Sequence, residues 1–337
     1  MSKTRIGVIG VGHHGRHHAR NLAAMSNISL VGVVDAYPDT ARHVAELCQT
    51  RAFAEPSELW DIVDAVVIAV PTASHAAVAA PFLKRGIATL VEKPISFSID
   101  QARDMVRLSK QHQVPLMVGH IERFNPVWGA VKSADIRPRF IETARLSRFP
   151  FRSLDVSVVF DVMIHDIDLV RTAARSRVRR IEAIGSASVS PSLDWATVQI
   201  EFENNVQAHL TASRVHHTNE RRLAIRSDRA CLELDFLRRT STLHQLTAGA
   251  KELLGKKLGP LTAEEKELLW RDMFSVHSEA HARAIEPLRL ELEEFIAAAQ
   301  ERRDPSVTGE DGLESILVAT EIERTISAGQ TTLRASA

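Results

Sequence analysis

The chain has 337 residues, 45% of them apolar, and its 42 lysines and arginines balance 42 aspartates and glutamates. That is enough apolar material for a full core and suggests two domains. Zero net charge disfavours a protein that holds nucleic acid or a membrane surface by bulk electrostatics.

The two cysteines, Cys48 and Cys231, are far apart and lack metal-type spacing, which suits a reducing cytosol better than a disulfide framework. Met1-Ser2-Lys3-Thr4 runs straight into the first apolar stretch and leaves no room for a signal peptide. No apolar run approaches the ~20 residues that cross a bilayer. A soluble cytoplasmic protein is expected.

In chain order, Ile6 to Ile9 reads as a buried strand that ends in Gly10-Val11-Gly12-His13-His14-Gly15. That glycine spacing suits a tight strand-to-helix turn around a diphosphate. Gly10 permits the turn, Gly12 lets the backbone approach the phosphates, and Gly15 lets the helix pack on the strand. The helix from His14 to about Met25 then points its N–H groups at the anion. His13, His14, His17 and His18 include two i, i+4 pairs, a zinc-capable spacing, but no acidic or cysteine third ligand is near in sequence. No metal is expected, and His13 and His14 are assigned to the cofactor turn through their backbone.

Ser29 to Val34 is a second strand ending at Asp35, twenty residues after Gly15. A carboxylate there can accept from both hydroxyls of an adenosine ribose, and Ala36-Tyr37-Pro38 offers no cation for a 2′-phosphate, so NAD is favoured over NADP. Pro38 to Cys48 reads as helix, Ala65 to Val70 as strand, Ser74 to Arg85 as helix and Ala88 to Val91 as strand. Ser98 to Gln113 reads as a helix opened by a Ser98-x-x-Gln101 capping box, and Leu116 to Val118 as a strand. This alternation predicts a doubly wound parallel sheet. Thr72, His75, Glu92 and Lys93, expected to contact the cofactor, and then Arg123 and Asn125 follow the strand ends and so collect along the edge where ligands bind.

Beyond Arg123 the pattern changes. Arg139 to Arg148 looks like a strand and Val158 to Ala174 like a helix. The runs Ile181 to Ser188, Thr197 to Phe202, Val206 to Ser213, Leu223 to Arg226 and Cys231 to Phe236 then predict an open, mainly antiparallel sheet in an α+β domain. From Arg238 to Ala284, Leu253, Leu254, Leu258, Leu261, Leu268 and Leu269 suggest two short amphipathic helices. The second is capped by Thr262 and Glu265, and their apolar stripe is expected to pack in the core, with a cover over the substrate pocket as the functional alternative. Two helices, from Pro287 to Arg302 and from Gly309 to Ser327, complete the chain. The expected domains are 1–122 and 123–337, with the last helices able to return to the first.

Asp161 and His165 stand one helical turn apart. Oxidation of an alcohol needs a base for the hydroxyl proton, and histidine has a suitable pKa. A carboxylate such as Asp161 can orient the ring, and a lysine such as Lys93 can lower the alcohol's pKa.

Gly10 to Gly15, Glu92-Lys93-Pro94, Asp161-x-x-x-His165 and Glu286-Pro287-Leu288 through Val307-Thr308-Gly309-Glu310-Asp311-Gly312 together resemble the Gfo/Idh/MocA family of nicotinamide-dependent oxidoreductases. The resemblance covers nearly the whole chain, least so between Arg238 and Ala284. It implies an NAD-binding Rossmann domain, a C-terminal α+β domain and a homodimer or homotetramer formed through its sheet. It also implies catalytic Lys93, His165 and Asp161, with these three, Arg123 and Asn125 facing substrate.

More narrowly, Val118-Gly119-His120-Ile121-Glu122-Arg123-Phe124-Asn125-Pro126, Met163 to Asp168, Glu201 to Asn204 and Leu210 to Arg214 are similar to family members that oxidise C3 of UDP-N-acetylglucosamine. That implies a sugar-nucleotide substrate and an aminotransferase next in a route to the 2,3-diamino sugar of lipid A. Val158-Val159 replaces a Gly-Gly pair common in the family, which makes the pocket of its glucose and inositol members a poorer template. A free-sugar or inositol dehydrogenase is the alternative enzyme. A dinucleotide sensor without turnover is the alternative of another class, and it would not need Lys93, Asp161 and His165.

Overall fold

The computed structural model describes residues 3–151, 154–250, 252, 260–281 and 286–334. The chain groups into two compact units. Met1–Phe124 joins Ile285–Thr320 in one, and Asn125–Ala284 joins Glu321–Ala337 in the other.

The first unit is built on β1 (Thr4–Ile9), β2 (Ile28–Val34), β3 (Arg51–Phe53), β4 (Ala65–Ile68), β5 (Ala88–Glu92) and β6 (Leu116–Gly119). Their order is β3-β2-β1-β4-β5-β6, and every neighbouring pair is parallel. Parallel sheets are buried on both faces, and Ala65, Val66, Val67 and Ile68 are all fully enclosed. The crossovers are α1 (Gly15–Ala23), α2 (Pro38–Leu47), α3 (His75–Lys84) and α4 (Ile99–His112). Strand order reverses between β1 and β4, so a ligand crevice belongs past their carboxyl ends.

Two details differ from expectation. β3 is an added edge strand of three residues, too short to carry a pattern. At α4, the Ser98 hydroxyl accepts from the Gln101 N–H at 3.4 Å, but the Gln101 side chain does not complete the box. Its carbonyl accepts from the Ser96 hydroxyl at 2.8 Å, and Ser96 in turn accepts from the Ser98 N–H at 3.0 Å.

The second unit opens with the short α5 (Gly129–Ser133) and carries a sheet of eight strands. These are β7 (Phe140–Leu146), β8 (Val178–Ser186), β9 (Trp195–Phe202), β10 (Gln207–Ser213), β11 (Glu220–Arg226), β12 (Ala230–Asp235), β13 (Thr240–Leu246) and β14 (Phe274–Ala280). They run in the order β14-β13-β12-β11-β7-β10-β9-β8, antiparallel throughout except for β7 against β10. Along β9 and β10, buried Ala196, Val198, Ile200, Ala208 and Leu210 alternate with more exposed residues, as in a sheet with one covered face.

The expected helix from Val158 begins as a π-helical turn, Val159–Met163, before α6 (Ile164–Ala174). β13 and β14 replace part of the weakly patterned stretch after Arg238. The expected first helix there, with Leu253, Leu254 and Leu258, lies outside the described residues. The second is α7 (Ala263–Met273), whose Thr262–Glu265 capping box is complete. Its apolar residues are not core, however. α7 buries no residue, and Leu268 and Trp270 are 58% and 46% exposed.

The returning segment begins with α8 (Pro287–Glu301), its proline at the first helical position where no N–H is needed. α8 packs on α1 and on the turn Ile121–Phe124. Gln300 donates to the Thr4 hydroxyl at 2.7 Å, and the Val118 N–H donates to the Val307 carbonyl at 3.2 Å. The last helix, α9, runs Gly309–Arg334. Among the described residues no helix is long and apolar enough to cross a membrane.

Candidate active site

The glycine turn has the form that its spacing demands. Gly10 sits at φ +80°, and a Cβ there would come within 2.7 Å of the Ala69–Val70 peptide. At Gly15 a Cβ would lie 1.7 Å from the Gly10 carbonyl oxygen, so α1 leaves the strand closer than any side chain allows. Gly12 is different. Among the described residues a Cβ there would meet nothing within 4 Å, which leaves room for a diphosphate to approach the backbone. No side chain caps α1 and no acidic residue occupies its first turn, which leaves the positive helix end to an anion.

Asp35 stands just past β2. Its carboxylate accepts from the Val11 N–H at 2.7 Å and from the Tyr37 N–H at 3.0 Å. A carboxylate has about four lone-pair directions, so two remain for a ribose. The residues present therefore fit a dinucleotide.

The four histidines separate. His13, His14 and His17 are exposed, with the rings of His13 and His14 edge to face at 5.1 Å. His18 is buried, and its Nε2 lies 2.6 Å from Glu92 Oε1. No metal group forms from these four among the described residues. The one candidate cluster joins His18 to Glu92 and Glu291.

The expected edge residues of the first unit divide into two sets. Thr72 and Lys93 are half-buried past β4 and β5, and the Lys93 N–H donates to Glu92 Oε2 at 3.1 Å. His75, expected to touch the cofactor, has its ring buried. Nδ1 is 3.0 Å from the Pro94 carbonyl and 3.3 Å from that of Ile95, and Nε2 is 3.0 Å from the Val70 carbonyl. It ties the loop after β4 to the turn after β5. Arg123, expected beside substrate, pairs with Asp311 at 3.2 Å and donates to the Ser306 carbonyl at 3.4 Å. A guanidinium that reaches a half-buried carboxylate on the returning segment is drawn there by charge.

In the second unit Asn125 is buried and caps the turn that follows, accepting from the Val127 N–H at 3.3 Å. Asp161 lies in the π-helical turn and His165 one residue into α6, both half-buried. π turns interrupting α-helices recur at functional sites.

Two buried ion pairs escaped the sequence reading. Beside His165, Asp166 accepts from Arg145 Nε at 3.0 Å and from its terminal nitrogen at 2.8 Å, anchoring α6 to β7. Arg214 and Asp194, both fully buried, pair at 2.9 Å. Arg214 also donates to the Val156 carbonyl and to the Ser190 and Ser192 hydroxyls, each at 2.7 Å. The loop that enters the Asp161 turn is held at Val156 by Arg214 and at Val158, whose N–H bonds to the Leu193 carbonyl at 2.8 Å. Only an intervening reversal of the chain brings position 214 back to 156, and no spacing announces it.

A parallel sheet of this order, with a glycine turn at its reversal, defines a dinucleotide-binding class of protein. Residues 4–120 match the family described as an oxidoreductase family with an NAD-binding Rossmann fold, and residues 129–233 match the GFO/IDH/MocA C-terminal domain. The chain belongs to the Gfo/Idh/MocA oxidoreductase family and is an NAD-dependent oxidoreductase acting on CH–OH groups.

It is 36% identical over 286 residues to a UDP-N-acetylglucosamine 3-dehydrogenase of Acidithiobacillus ferrooxidans, covering 85% of this chain and 90% of that protein. The solved structure of that enzyme aligns with a TM-score of 0.85 and 31% identity, over 97% of this chain and 99% of the other. An inositol 2-dehydrogenase of Rhizobium meliloti is 27% identical over 345 residues, covering 96% and 97% of the two chains.

Proposed function

We propose that this enzyme oxidises the 3-hydroxyl of UDP-N-acetylglucosamine to the 3-keto sugar nucleotide. The observation that carries the reading is the 36% identity, over 85% of the chain, to an enzyme named for that reaction. The inositol dehydrogenase is less similar, at 27%. The keto product is the substrate an aminotransferase needs on the way to a 2,3-diamino sugar, as used in lipid A.

When bound, NAD supplies the hydride acceptor. The turn shaped by Gly10 and Gly15 would hold its diphosphate at Gly12 against the start of α1, and Asp35 would take the adenosine ribose. In this reading an imidazole nitrogen of His165 takes the proton of the reacting hydroxyl. Asp161 orients that ring or a sugar hydroxyl, and Lys93 lowers the hydroxyl's pKa with its positive charge. General-base assistance of this kind is worth roughly 10²–10⁴-fold.

The test follows NADH absorbance with UDP-sugars, free hexoses and inositols in parallel. Turnover with UDP-N-acetylglucosamine, lost by about 10²-fold or more in Lys93→Ala and His165→Ala while NAD still binds, supports the assignment. Reaction with free polyols alone replaces the substrate, and near-parental rates in both variants remove the catalytic roles.

A further inference from the structure

Two side chains from distant parts of the chain meet Glu92, the last residue of β5. His18 comes from the buried face of α1 and Glu291 from α8, and one ligating atom from each of the three lies within 4.8 Å of the others. His18 grips Glu92 Oε1 at 2.6 Å, while Oε2 accepts from the Lys93 N–H at 3.1 Å. Glu291 is wholly buried, and among the described residues neither of its carboxyl oxygens has a hydrogen-bond partner. The reaction as read above uses neither His18 nor Glu291.

The two carboxyls are driven apart. Burial, and then the charge of Glu92, raise Glu291 well above the usual carboxylate range. Burial pushes Glu92 upward too, but the hydrogen bond and charge of His18, with smaller help from His14 and Lys93, outweigh it and hold Glu92 down to about 2. Glu92 is therefore the anion and Glu291 the neutral acid. The charged and titratable groups that act on Glu92 or feel it are His14 just before α1, His18 from α1, His75 from α3, Glu291 from α8, and Lys93 beside it.

We propose that His18 and Glu291 are positioning residues for the dehydrogenation: together they hold the Glu92 carboxylate in one orientation, and Glu92 holds the backbone that carries Lys93. The inference rests on the reading that gives Lys93 to the reacting hydroxyl. His18 supplies the directional bond. Glu291 fills the remaining side of the cluster with a group of carboxylate shape that adds no second negative charge. The far end of the same turn is gripped independently by His75 on the Pro94 and Ile95 carbonyls. Clamping both ends fixes Lys93 to the tolerance that catalysis requires, since a displacement of about 1 Å can cost on the order of 10²-fold in rate.

The experiment uses the full-length enzyme with NAD and whichever substrate of the panel turns over, comparing His18→Gln, Glu291→Gln, Glu291→Ala and Lys93→Ala. In His18→Gln, kcat falls about tenfold or more with the NAD Kd nearly unchanged. Without the imidazole, its hydrogen bond and charge no longer hold Glu92 down, so Glu92 takes up a proton at a higher pH than in the parent. The acid-side loss of kcat/KM therefore moves to higher pH relative to the parent, a change that general loosening of the fold does not produce. Glu291→Gln, neutral and of the same shape, keeps most of kcat, and Glu291→Ala loses about tenfold.

A His18→Gln enzyme with the parental kcat and pH profile, alongside an inactive Lys93→Ala, overturns the inference and leaves the role of Lys93 intact. A Lys93→Ala enzyme as fast as the parent removes that role instead. Equal losses in Glu291→Gln and Glu291→Ala also overturn the inference. So does one divalent metal per chain in the purified parent that is lost in Glu291→Gln, because the cluster is then a cation site with an ionised Glu291.

Discussion

Replacing Gly12 and Gly15 one at a time by alanine separates the two tasks of the glycine turn. At Gly15 the new Cβ would sit 1.7 Å from the Gly10 carbonyl oxygen. A normal carbon–oxygen contact is about 3.3 Å, so α1 or the turn must move by roughly 1.5 Å. Neither gives easily, because the obstacle is backbone. Overpacking costs typically about 1–3 kcal/mol, and this contact belongs at or above the top of that range. At Gly12 the Cβ meets nothing within 4 Å, and the residue is not in the left-handed region. Gly12→Ala should then fold as well as the parent, or gain about 0.4–1 kcal/mol from the stiffer unfolded chain, while losing NAD affinity. Thermal unfolding without cofactor and calorimetric titration with NAD measure the two effects separately. A Gly12→Ala protein that binds NAD like the parent refutes the placement of the diphosphate, and a fully stable Gly15→Ala protein refutes the packing argument.

Three further outcomes concern the second unit. Arg214→Ala strands a buried carboxylate and should cost about 3–5 kcal/mol in chemical denaturation. Burial alone would raise Asp194, but bonds from the Val189 and Ser190 N–H groups, Arg214 and the Ser190 hydroxyl outweigh it and set it far below the carboxylate range. Because Asp194 titrates lower in the folded chain, its contribution is complete above the unfolded value of about 3.9 and fades as the pH falls towards the folded one. Asp194→Asn should therefore be less stable at pH 7 and lose less stability than the parent between pH 5 and pH 2. On α7, Leu268→Ser and Trp270→Ser should each change stability by no more than about 0.5 kcal/mol, since both side chains are largely exposed. A loss several times larger would show that the helix packs as core.

The parallel sheet was legible because its strands are unbroken apolar runs whose ends carry glycine, aspartate or lysine, and burial on both faces demands such runs. The antiparallel strands β8 to β12 were legible by alternation, with bounds a few residues off. β14 was not. Its sequence, Phe274–Ala280, is exposed over most of its length, so no core imposes a period on it. The leucines of α7 misled for the converse reason, because apolar spacing records a helix face but not whether anything covers it.

In the candidate site, the glycine turn and Asp35 are local and could be read directly. The loop-binding role of His75 and the pairing of Arg123 with Asp311 depend on partners 19 and 188 positions away. The cluster of residues 18, 92 and 291 has no signature at all in linear order.

The first compact unit is interrupted. Residues 125–284 are made after its six strands and before α8, which delivers Glu291 and the bond from Gln300 to Thr4. On a ribosome working at about 5–20 residues per second, that interval lasts roughly 10–30 s. Throughout it, the segments that form the six-stranded sheet are present without the helix that packs on α1 and without the residue that completes the Glu92 cluster. The nucleotide-binding half of this enzyme is begun first and finished nearly last. A nascent chain stopped before residue 286 carries the whole glycine motif yet lacks part of that unit's own core.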